Sequence, residues 1–207
     1  LSPLPASIKI RVRTISDGHP PYIIAEMSAN HNGDITKAFN IIKTAKQSGA
    51  DAVKIQTYRP DTITIDHSSD DFIISHGLWA GQTLFDLYAS AFTPWEWHAE
   101  LFDYAKSLGI TIFSSPFDNS AVDLLEDLGC PAYKVASFEA IDIPLIEYIA
   151  SMRKPMIIST GLANKQEIAE AVTAAMDGGA EGVALLHCVS AYPAPAQDYN
   201  LRTMLDM

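Results

Sequence analysis

The stretch Pro131-Ala-Tyr-Lys-Val-Ala-Ser-Phe-Glu139 decides how the rest of the chain is interpreted. Its centre is a short apolar run typical of a buried strand, and Lys134 lies inside that run. An unpaired ammonium group is costly to bury, so an anionic partner is expected beside it. The segment Ala52–Thr57 repeats the arrangement, because Lys54 and Gln56 lie two residues apart and share one face of a strand. Two lysines on two buried strands predict a pocket for a small, highly charged anion.

The composition is that of a folded acidic domain. The chain has 207 residues, of which 48% are hydrophobic and 19% are charged, enough to bury a sizeable core. Its formal net charge of −11 argues against nucleic acid or an anionic membrane surface as a partner, because both require a basic face. No stretch approaches the roughly 20 apolar residues of a membrane span, and the expected location is the cytoplasm. Cys130 and Cys188 lack metal-site spacing and are predicted to be reduced, buried side chains.

Strand and helix patterns alternate over residues 21–207, which we interpret as one domain. Six strands are predicted, at residues 22–27, 51–57, 111–115, 132–137, 156–160 and 182–188. A helix is predicted from Asp34 to Ser48, with Gly49 ending it in a left-handed conformation. Such alternation favours parallel βαβ units over a meander. Residues 1–20 are predicted to form a separate β-hairpin lid, because apolar and basic residues alternate over residues 8–13.

Local signals mark several helix beginnings and one unusual connection. Thr93-Pro-Trp-Glu96 and Asn164-Lys-Gln-Glu167 each offer an N-cap residue with a glutamate three residues later, the pattern of a capping box. About fifty residues separate the second strand from the third, and a connection of this length is usually functional. Within it, residues 83–91 predict a short helix and residues 66–81 a loop.

The distribution of polar residues selects the architecture. The closed (β/α)₈ barrel and the open doubly wound sheet both fit alternating βα units. Polar side chains lie at or near the C-terminal ends of all six strands. They are Glu26, Lys54 with Gln56, Ser114 with Ser115, Lys134 with Ser137, Ser159 with Thr160, and His187. An open sheet binds its ligand at one switch point, whereas a barrel gathers side chains from every strand end. We therefore predict an α/β fold, a (β/α)₈ TIM barrel. Only about six of its eight βα units are present, so we expect the natural protein to continue.

The residue types at the strand ends predict an anion site. A cradle for phosphate or carboxylate would use ammonium and hydroxyl groups, here from Lys54, Lys134, Ser115, Ser137, Ser159 and Thr160. Glu26 and Gln56 would then hydrogen-bond to a second ligand that is neutral and rich in hydroxyl groups. A competing interpretation makes Lys134 a Schiff-base nucleophile, because a buried lysine in a barrel can take that role.

Six motifs carry a family resemblance, which covers essentially the whole chain from about residue 8. They are Ile23-Ile-Ala-Glu-Met-Ser-Ala-Asn-His-Asn-Gly33, Gly49-Ala-Asp-Ala-Val-Lys-Ile-Gln-Thr57, Ser114-Ser-Pro-Phe-Asp118, Ala132-Tyr-Lys-Val-Ala-Ser137, Ile158-Ser-Thr-Gly161 and Leu186-His-Cys188. These motifs resemble the sialic acid synthase family. In the long connection, Leu78-Trp79, Leu84-Phe-Asp-Leu-Tyr88 and Thr93-Pro-Trp-Glu-Trp-His98 are similar to the family's pseudaminic acid branch.

The resemblance implies a transferase. Its reaction would condense phosphoenolpyruvate with the open-chain aldehyde of an acetamido sugar, giving phosphate and a nine-carbon 2-keto-3-deoxy acid. For the pseudaminic acid branch the sugar would be 2,4-diacetamido-2,4,6-trideoxy-altrose. Synthesis of N-acetylneuraminic or legionaminic acid is the alternative within the family. Outside it, a Schiff-base aldolase and an inactive fragment that only binds a ligand stay open.

The resemblance also implies roles for individual residues. Phosphoenolpyruvate would be held by Lys54, Ser115, Lys134, Ser137 and Ser159. Glu26, Gln56 and Tyr192 would face the sugar and the reacting carbons, with Glu26 as the catalytic carboxylate that orients water or moves a proton. Ser190 stands where the neuraminic acid enzymes carry asparagine, which is consistent with a different sugar.

A divalent metal and a partner subunit are implied in the same way. The metal, Mn²⁺ or Mg²⁺, would stabilise charge on the aldehyde oxygen as a Lewis acid. The family holds it with two histidines on the last two barrel strands, expected beyond the end of this chain. We therefore assign no ligand here and interpret His31 as a structural hydrogen-bonding residue and His187 as a strand-end core histidine. A homodimer, in which a C-terminal antifreeze-like domain covers the partner's site, is implied for the full-length protein.

Overall fold

The computed structural model describes residues 7–191 and 193–207. The chain divides into two compact units, one of residues 22–129 and the other of residues 1–21 with 130–207. In the part of the chain that is described, no helix has both the length and the apolar character needed to cross a membrane.

An antiparallel hairpin precedes the alternating elements. Strand β1 (Ser7–Ile10) pairs with β2 (Arg13–Ser16). Ile8 and Ile10 are buried while Ser7 and Lys9 are exposed, as their alternation predicts. The predicted hairpin is thus confirmed over residues 7–16. Residues 1–6 lie outside the described residues, and the role of a lid stays a prediction.

The unit of residues 22–129 holds three parallel strands in chain order. They are β3 (Ile24–Glu26), β4 (Ala52–Thr57) and β5 (Thr111–Pro116). Its helices are α1 (Ile35–Gln47), α2 (Pro60–Ile63), α3 (Leu84–Ala91), α4 (His98–Leu108) and α5 (Asn119–Asp127). Two 3₁₀ turns, Asp70–Phe72 and Trp95–Trp97, interrupt the long connection between β4 and β5.

Helix α1 shows how local sequence sets these boundaries. The Asp34 carboxylate accepts the backbone N–H of Thr36 and caps the helix at its beginning. Ala38, Ile42 and Ala45 recur at the spacing of one helical face, and all three are buried. Gly49 adopts a φ of +86° just beyond the helix end, as predicted. The predicted short helix at residues 83–91 also forms, with Thr83 as its N-cap.

The second unit holds three further parallel strands. They are β6 (Tyr133–Val135), β7 (Met156–Ser159) and β8 (Val183–Leu186), joined through α6 (Ile143–Ser151) and α7 (Lys165–Asp177). Short 3₁₀ turns occur at Glu139–Ile141, Ala196–Asp198 and Leu201–Leu205. All three residues of β6 and all four of β7 are buried, as expected for parallel strands covered on both faces. With three in each unit, the predicted six parallel strands are confirmed.

The two predicted capping boxes have different outcomes. At Asn164 the box forms: the Oδ1 atom accepts from the Glu167 N–H, and Glu167 Oε2 accepts the Asn164 N–H at 2.7 Å. At Thr93 the prediction is wrong, because residues 95–97 form a 3₁₀ turn and α4 begins at His98. The Thr93 hydroxyl is buried and lies 3.4 Å from His31 Nε2, so a tertiary contact replaces the cap.

Candidate functional site

Three predicted site residues form a connected chain at the ends of β3, β4 and β5. Lys54 Nζ lies 2.6 Å from Glu26 Oε2 and 3.3 Å from Ser115 Oγ. The other carboxylate oxygen of Glu26 accepts the backbone N–H of Ser28 at 3.0 Å. The Lys54 side chain is 13% exposed and that of Glu26 is 43% exposed. The ammonium group therefore has one anionic and one neutral partner, and the carboxylate beside it is open to solvent.

Strand register brings these side chains together. Glu26 lies opposite Lys54 in the β3–β4 pair, and Gln56 lies opposite Ser115 in the β4–β5 pair. Along β4 the residues on either side of Lys54 and Gln56 are buried, while these two are half-buried. The prediction that Lys54 and Gln56 share one face agrees with this pattern, because side chains alternate along a strand.

His31, in the turn after β3, has the structural contacts that we predicted. Its Nδ1 accepts the backbone N–H of Gly33 at 3.1 Å, and its ring packs edge-on against Trp97 with centroids 5.5 Å apart. The residue is fully buried, and this desolvation lowers the pKa of the imidazole. His31 thus links the turn to the long connection.

In the second unit, Lys134 is the centre of another polar set. It is only 6% exposed, and its ammonium group donates to the carbonyl oxygen of Val135 at 2.6 Å and to Ser159 Oγ at 2.5 Å. Cys188 Sγ lies 3.1 Å from the same Ser159 oxygen. The predicted burial of Lys134 in a strand is confirmed, and it contacts the hydroxyl of Ser159, which the sequence analysis assigned to the same anion site.

A glycine makes room for the hydroxyl groups beside this lysine. The backbone N–H of Gly161 donates to Ser137 Oγ at 3.3 Å. A methyl group at Gly161 would lie 2.4 Å from Ser190 Oγ, 3.0 Å from Ser137 Oγ and 3.2 Å from Cys188 Cβ. A Cβ atom at this position would therefore require these side chains to shift. The unit therefore gathers three predicted residues, Ser137, Ser159 and Ser190, near one another.

Glu139 is a carboxylate to which the sequence analysis gave no role. Burial raises the pKa of its carboxyl group, an effect that its own backbone N–H and the charge of Lys134 partly oppose. Its Oε2 atom is buried and has no hydrogen-bond partner among residues 7–191 and 193–207. The signal was available, because Glu139 ends the same stretch that holds Lys134. A buried carboxyl group with a raised pKa beside a lysine suits proton transfer.

The residues after β8 show mixed agreement with the predictions. His187 is half-buried and its Nε2 donates to the carbonyl oxygen of Tyr199 at 2.6 Å, so its contacts are structural. Cys130 is fully buried, as predicted, but Cys188 is only half-buried because β8 ends before it at Leu186. Tyr192, which we predicted to face the sugar, lies outside the described residues.

Two predictions remain without a structural test. Lys54 and Lys134 belong to different units, and their convergence on a single ligand stays a prediction. Across the described ranges, no three histidine, cysteine or acidic side chains come together in a way that could hold a metal ion. The implied Mn²⁺ or Mg²⁺ and its ligands therefore stay a prediction.

Comparison with known proteins identifies the fold and the family. Residues 41–207 match the model of the NeuB family. The chain is 47% identical to the pseudaminic acid synthase of Helicobacter pylori, over 91% of this chain and 55% of that protein. It is 36% identical to the N,N'-diacetyllegionaminic acid synthase of Legionella pneumophila, over 88% of this chain and 52% of that protein. The chain thus spans about half the length of these curated relatives.

A solved structure gives the same answer for the fold. The N-acetylneuraminic acid synthetase of Leptospira borgpetersenii, in complex with citrate, superposes with a TM-score of 0.85 at 27% identity. The match covers 100% of this chain and 67% of that one. The predicted TIM barrel, with six of its eight βα units and a hairpin before them, is confirmed. The chain belongs to the NeuB family of sialic acid synthases.

Proposed function

We propose that the full-length protein is a phosphoenolpyruvate-dependent pseudaminic acid synthase. The observation that carries the proposal is the pair of strand-end lysines, each with its ammonium group in contact with a serine hydroxyl, Lys54 with Ser115 and Lys134 with Ser159. The higher identity to the Helicobacter relative than to the Legionella relative supports the pseudaminic branch. The sugar substrate would be 2,4-diacetamido-2,4,6-trideoxy-altrose in its open-chain form.

The site composition fits the charge of phosphoenolpyruvate. This molecule carries a phosphate and a carboxylate on three carbons, so two ammonium groups compensate its charge. Serine hydroxyls, here Ser115, Ser137 and Ser159, would fix its orientation through hydrogen bonds. The Leptospira relative was solved in complex with citrate, which like phosphoenolpyruvate is a small polyanion, and this supports an anion site in the fold. Gln56, Ser190 and Tyr192 would then face the sugar.

The two carboxylates suit the two proton movements of the reaction. When C3 of phosphoenolpyruvate bonds to the aldehyde carbon, the aldehyde oxygen must take up a proton. C2 becomes electrophilic, water adds to it and loses a proton, and phosphate then leaves as the ketone forms. Glu26, which lies 2.6 Å from Lys54 Nζ and is open to solvent, would orient that water and accept its proton. Glu139, whose pKa is raised by burial, would supply a proton to the aldehyde oxygen.

Three further parts of the proposal concern the whole protein. A divalent metal would act as a Lewis acid on the aldehyde, with ligands outside these 207 residues. A homodimer is proposed because the family resemblance implies one, and a cytoplasmic location is proposed because phosphoenolpyruvate is a cytoplasmic metabolite. The absence of nucleic acid and membrane partners rests on the net charge of −11.

Phosphate release from phosphoenolpyruvate tests the proposal directly. We expect the full-length protein to release phosphate only when the diacetamido-altrose and a divalent cation are both present, with a nine-carbon keto acid as the second product. Turnover with N-acetylmannosamine instead would reject the pseudaminic assignment. A pyruvate adduct trapped on Lys134 by borohydride would favour the Schiff-base aldolase.

A further inference from the structure

A buried polar relay lies behind the ends of β4 and β5. Thr57, His98 and Ser114 are all 0% exposed. His98 Nε2 lies 2.9 Å from Thr57 Oγ1, which in turn lies 2.6 Å from Ser114 Oγ. His98 Nδ1 lies 3.1 Å from the carbonyl oxygen of Pro94. The relay thus joins two strand ends to the beginning of α4.

Chemistry fixes the direction of these hydrogen bonds. A carbonyl oxygen only accepts, so His98 Nδ1 carries a proton and donates it to Pro94. Desolvation lowers the pKa of His98 to about 4, only partly offset by its backbone hydrogen bonds, so the ring is neutral at pH 7. Nε2 is then an acceptor, and the Thr57 hydroxyl must donate to it. The Thr57 oxygen can then accept from Ser114 Oγ, whose one proton is shared between this contact and the carbonyl oxygen of Ile55 at 3.1 Å.

The relay residues alternate with the residues of the candidate anion site. Thr57 follows Gln56 on β4, and Ser114 precedes Ser115 on β5. Side chains alternate along a strand, so fixing one face of each strand end also fixes the neighbour on the opposite face. In the register Gln56 lies opposite Ser115, and the Ser115 hydroxyl lies 3.3 Å from Lys54 Nζ. A shift of either strand end would change that distance.

We propose that His98 is a positioning residue, which holds the ends of β4 and β5 in the register that brings Ser115 to Lys54. This inference rests on the proposed function, because Lys54 and Ser115 are there assigned to phosphoenolpyruvate. His98 is fully buried and is not expected to touch a substrate. It acts through Thr57 and Ser114, and its effect is therefore expected on the affinity for phosphoenolpyruvate rather than on the chemical step.

Two pairs of matched variants of the full-length protein separate positioning from mere stability. His98→Gln retains an acceptor near the position of Nε2, whereas His98→Asn retains only a group near Nδ1. Thr57→Ser retains the hydroxyl, whereas Thr57→Val removes it at nearly constant volume. We expect His98→Asn and Thr57→Val to raise KM for phosphoenolpyruvate about tenfold, the equivalent of one buried hydrogen bond. Their kcat and their KM for the sugar should change little, and His98→Gln and Thr57→Ser should restore KM.

Calorimetric titration with phosphoenolpyruvate makes the test independent of turnover. The same four variants should show the same ranking in Kd. If His98→Asn and Thr57→Val bind phosphoenolpyruvate as the wild type does and only melt at lower temperature, the relay merely stabilises the fold and the inference is wrong. If the wild type itself neither binds nor turns over phosphoenolpyruvate, the proposed function fails instead. Should the His98 variants not fold, the Thr57 pair decides the question.

Discussion

The two strand-end lysines occupy different electrostatic settings. Lys54 is 13% exposed and lies 2.6 Å from a carboxylate that is itself 43% exposed. Lys134 is 6% exposed, and its ammonium group donates to two neutral oxygens, those of Val135 and Ser159. The carboxyl group of Glu139 near it is held towards its neutral form by burial. The same lysine–serine pairing is therefore partly solvated in one unit and desolvated in the other.

This difference indicates how each lysine would contribute to anion binding. A charge interaction is stronger where water is excluded, because the effective dielectric constant is lower. At Lys54 an incoming anion would compete with Glu26 and with solvent. At Lys134 it would meet an ammonium group that is 6% exposed and that donates to the oxygens of Val135 and Ser159. We therefore expect Lys134 to supply more binding free energy and Lys54 to couple the bound anion to the carboxylate of Glu26.

Replacement of Lys134 should have the largest effect. Lys134→Met, which keeps the length and apolar body of the side chain, should weaken binding of phosphoenolpyruvate to the full-length protein by about 2–5 kcal/mol. The reason is the loss of a desolvated charge opposite the ligand. Isothermal titration calorimetry with phosphoenolpyruvate measures the change.

Lys54→Met is the matched control for that measurement. Its effect on affinity should be smaller, because the charge that it removes is partly screened by solvent and by Glu26. Equal losses of affinity for phosphoenolpyruvate in the two variants would show that the two lysines contribute equally, contrary to expectation. Unchanged affinity in Lys134→Met would show that the anion site lies elsewhere.

A methyl group at Gly161 should have the next largest effect. Gly161→Ala would bring a Cβ atom to 2.4 Å from Ser190 Oγ, so one of the two must move. The Ser190 hydroxyl ends an exposed side chain that can turn away, so the free energy of unfolding should fall by no more than about 1 kcal/mol, the lower end of the cost of overpacking. Urea denaturation followed by circular dichroism measures it.

The double variant Gly161→Ala with Ser190→Ala sharpens the result. It removes the hydroxyl that the new methyl group would meet, and stability should partly return. If Gly161→Ala proves as stable as the wild type, the close packing around Gly161 does not hold in solution. The side chains of Ser137, Cys188 and Ser190 would then pack less closely around Gly161 in solution than in the structure.

Glu139→Gln should have the smallest effect, and one that depends on pH. Since burial raises the pKa of Glu139 above its ordinary value of 4.5, the folded chain binds this proton more tightly than the unfolded chain. Wild-type stability should therefore fall, relative to the variant, as pH rises through the raised pKa. Below pH 4.5 both states are protonated and the two proteins should differ least. Denaturation midpoints at a series of pH values test this, and a difference that grows towards low pH would contradict it.

Short-range features of the fold could be predicted from the sequence. Asp34, Gly49 and Asn164 act within a few residues along the chain, and their caps and turns form as predicted. Thr93 carries an equally good capping pattern but contacts His31, 62 residues away, instead. A local rule fails there because a tertiary partner competes for the same hydroxyl.

The candidate site was predictable in its residue types and less so in its contacts. Lys54 and Lys134 were identified by one argument, the cost of burying an ammonium group. The contact of Lys54 with Ser115 spans 61 residues, and that of Thr57 with Ser114 spans 57. Such contacts depend on strand register, which periodicity does not determine across a long connection. His98 was missed because its pattern resembles that of any residue near a helix beginning.

The unequal burial of the two thiols offers a practical reporter. Cys130 is 0% exposed, while Cys188 is half-buried with its sulfur 3.1 Å from Ser159 Oγ, the atom that also accepts a hydrogen bond from Lys134. Maleimide labelling of the native protein should therefore modify Cys188 first among the cysteines of this chain. The rate of that labelling should change when an anion binds at Lys134, so it would report binding without any need for turnover.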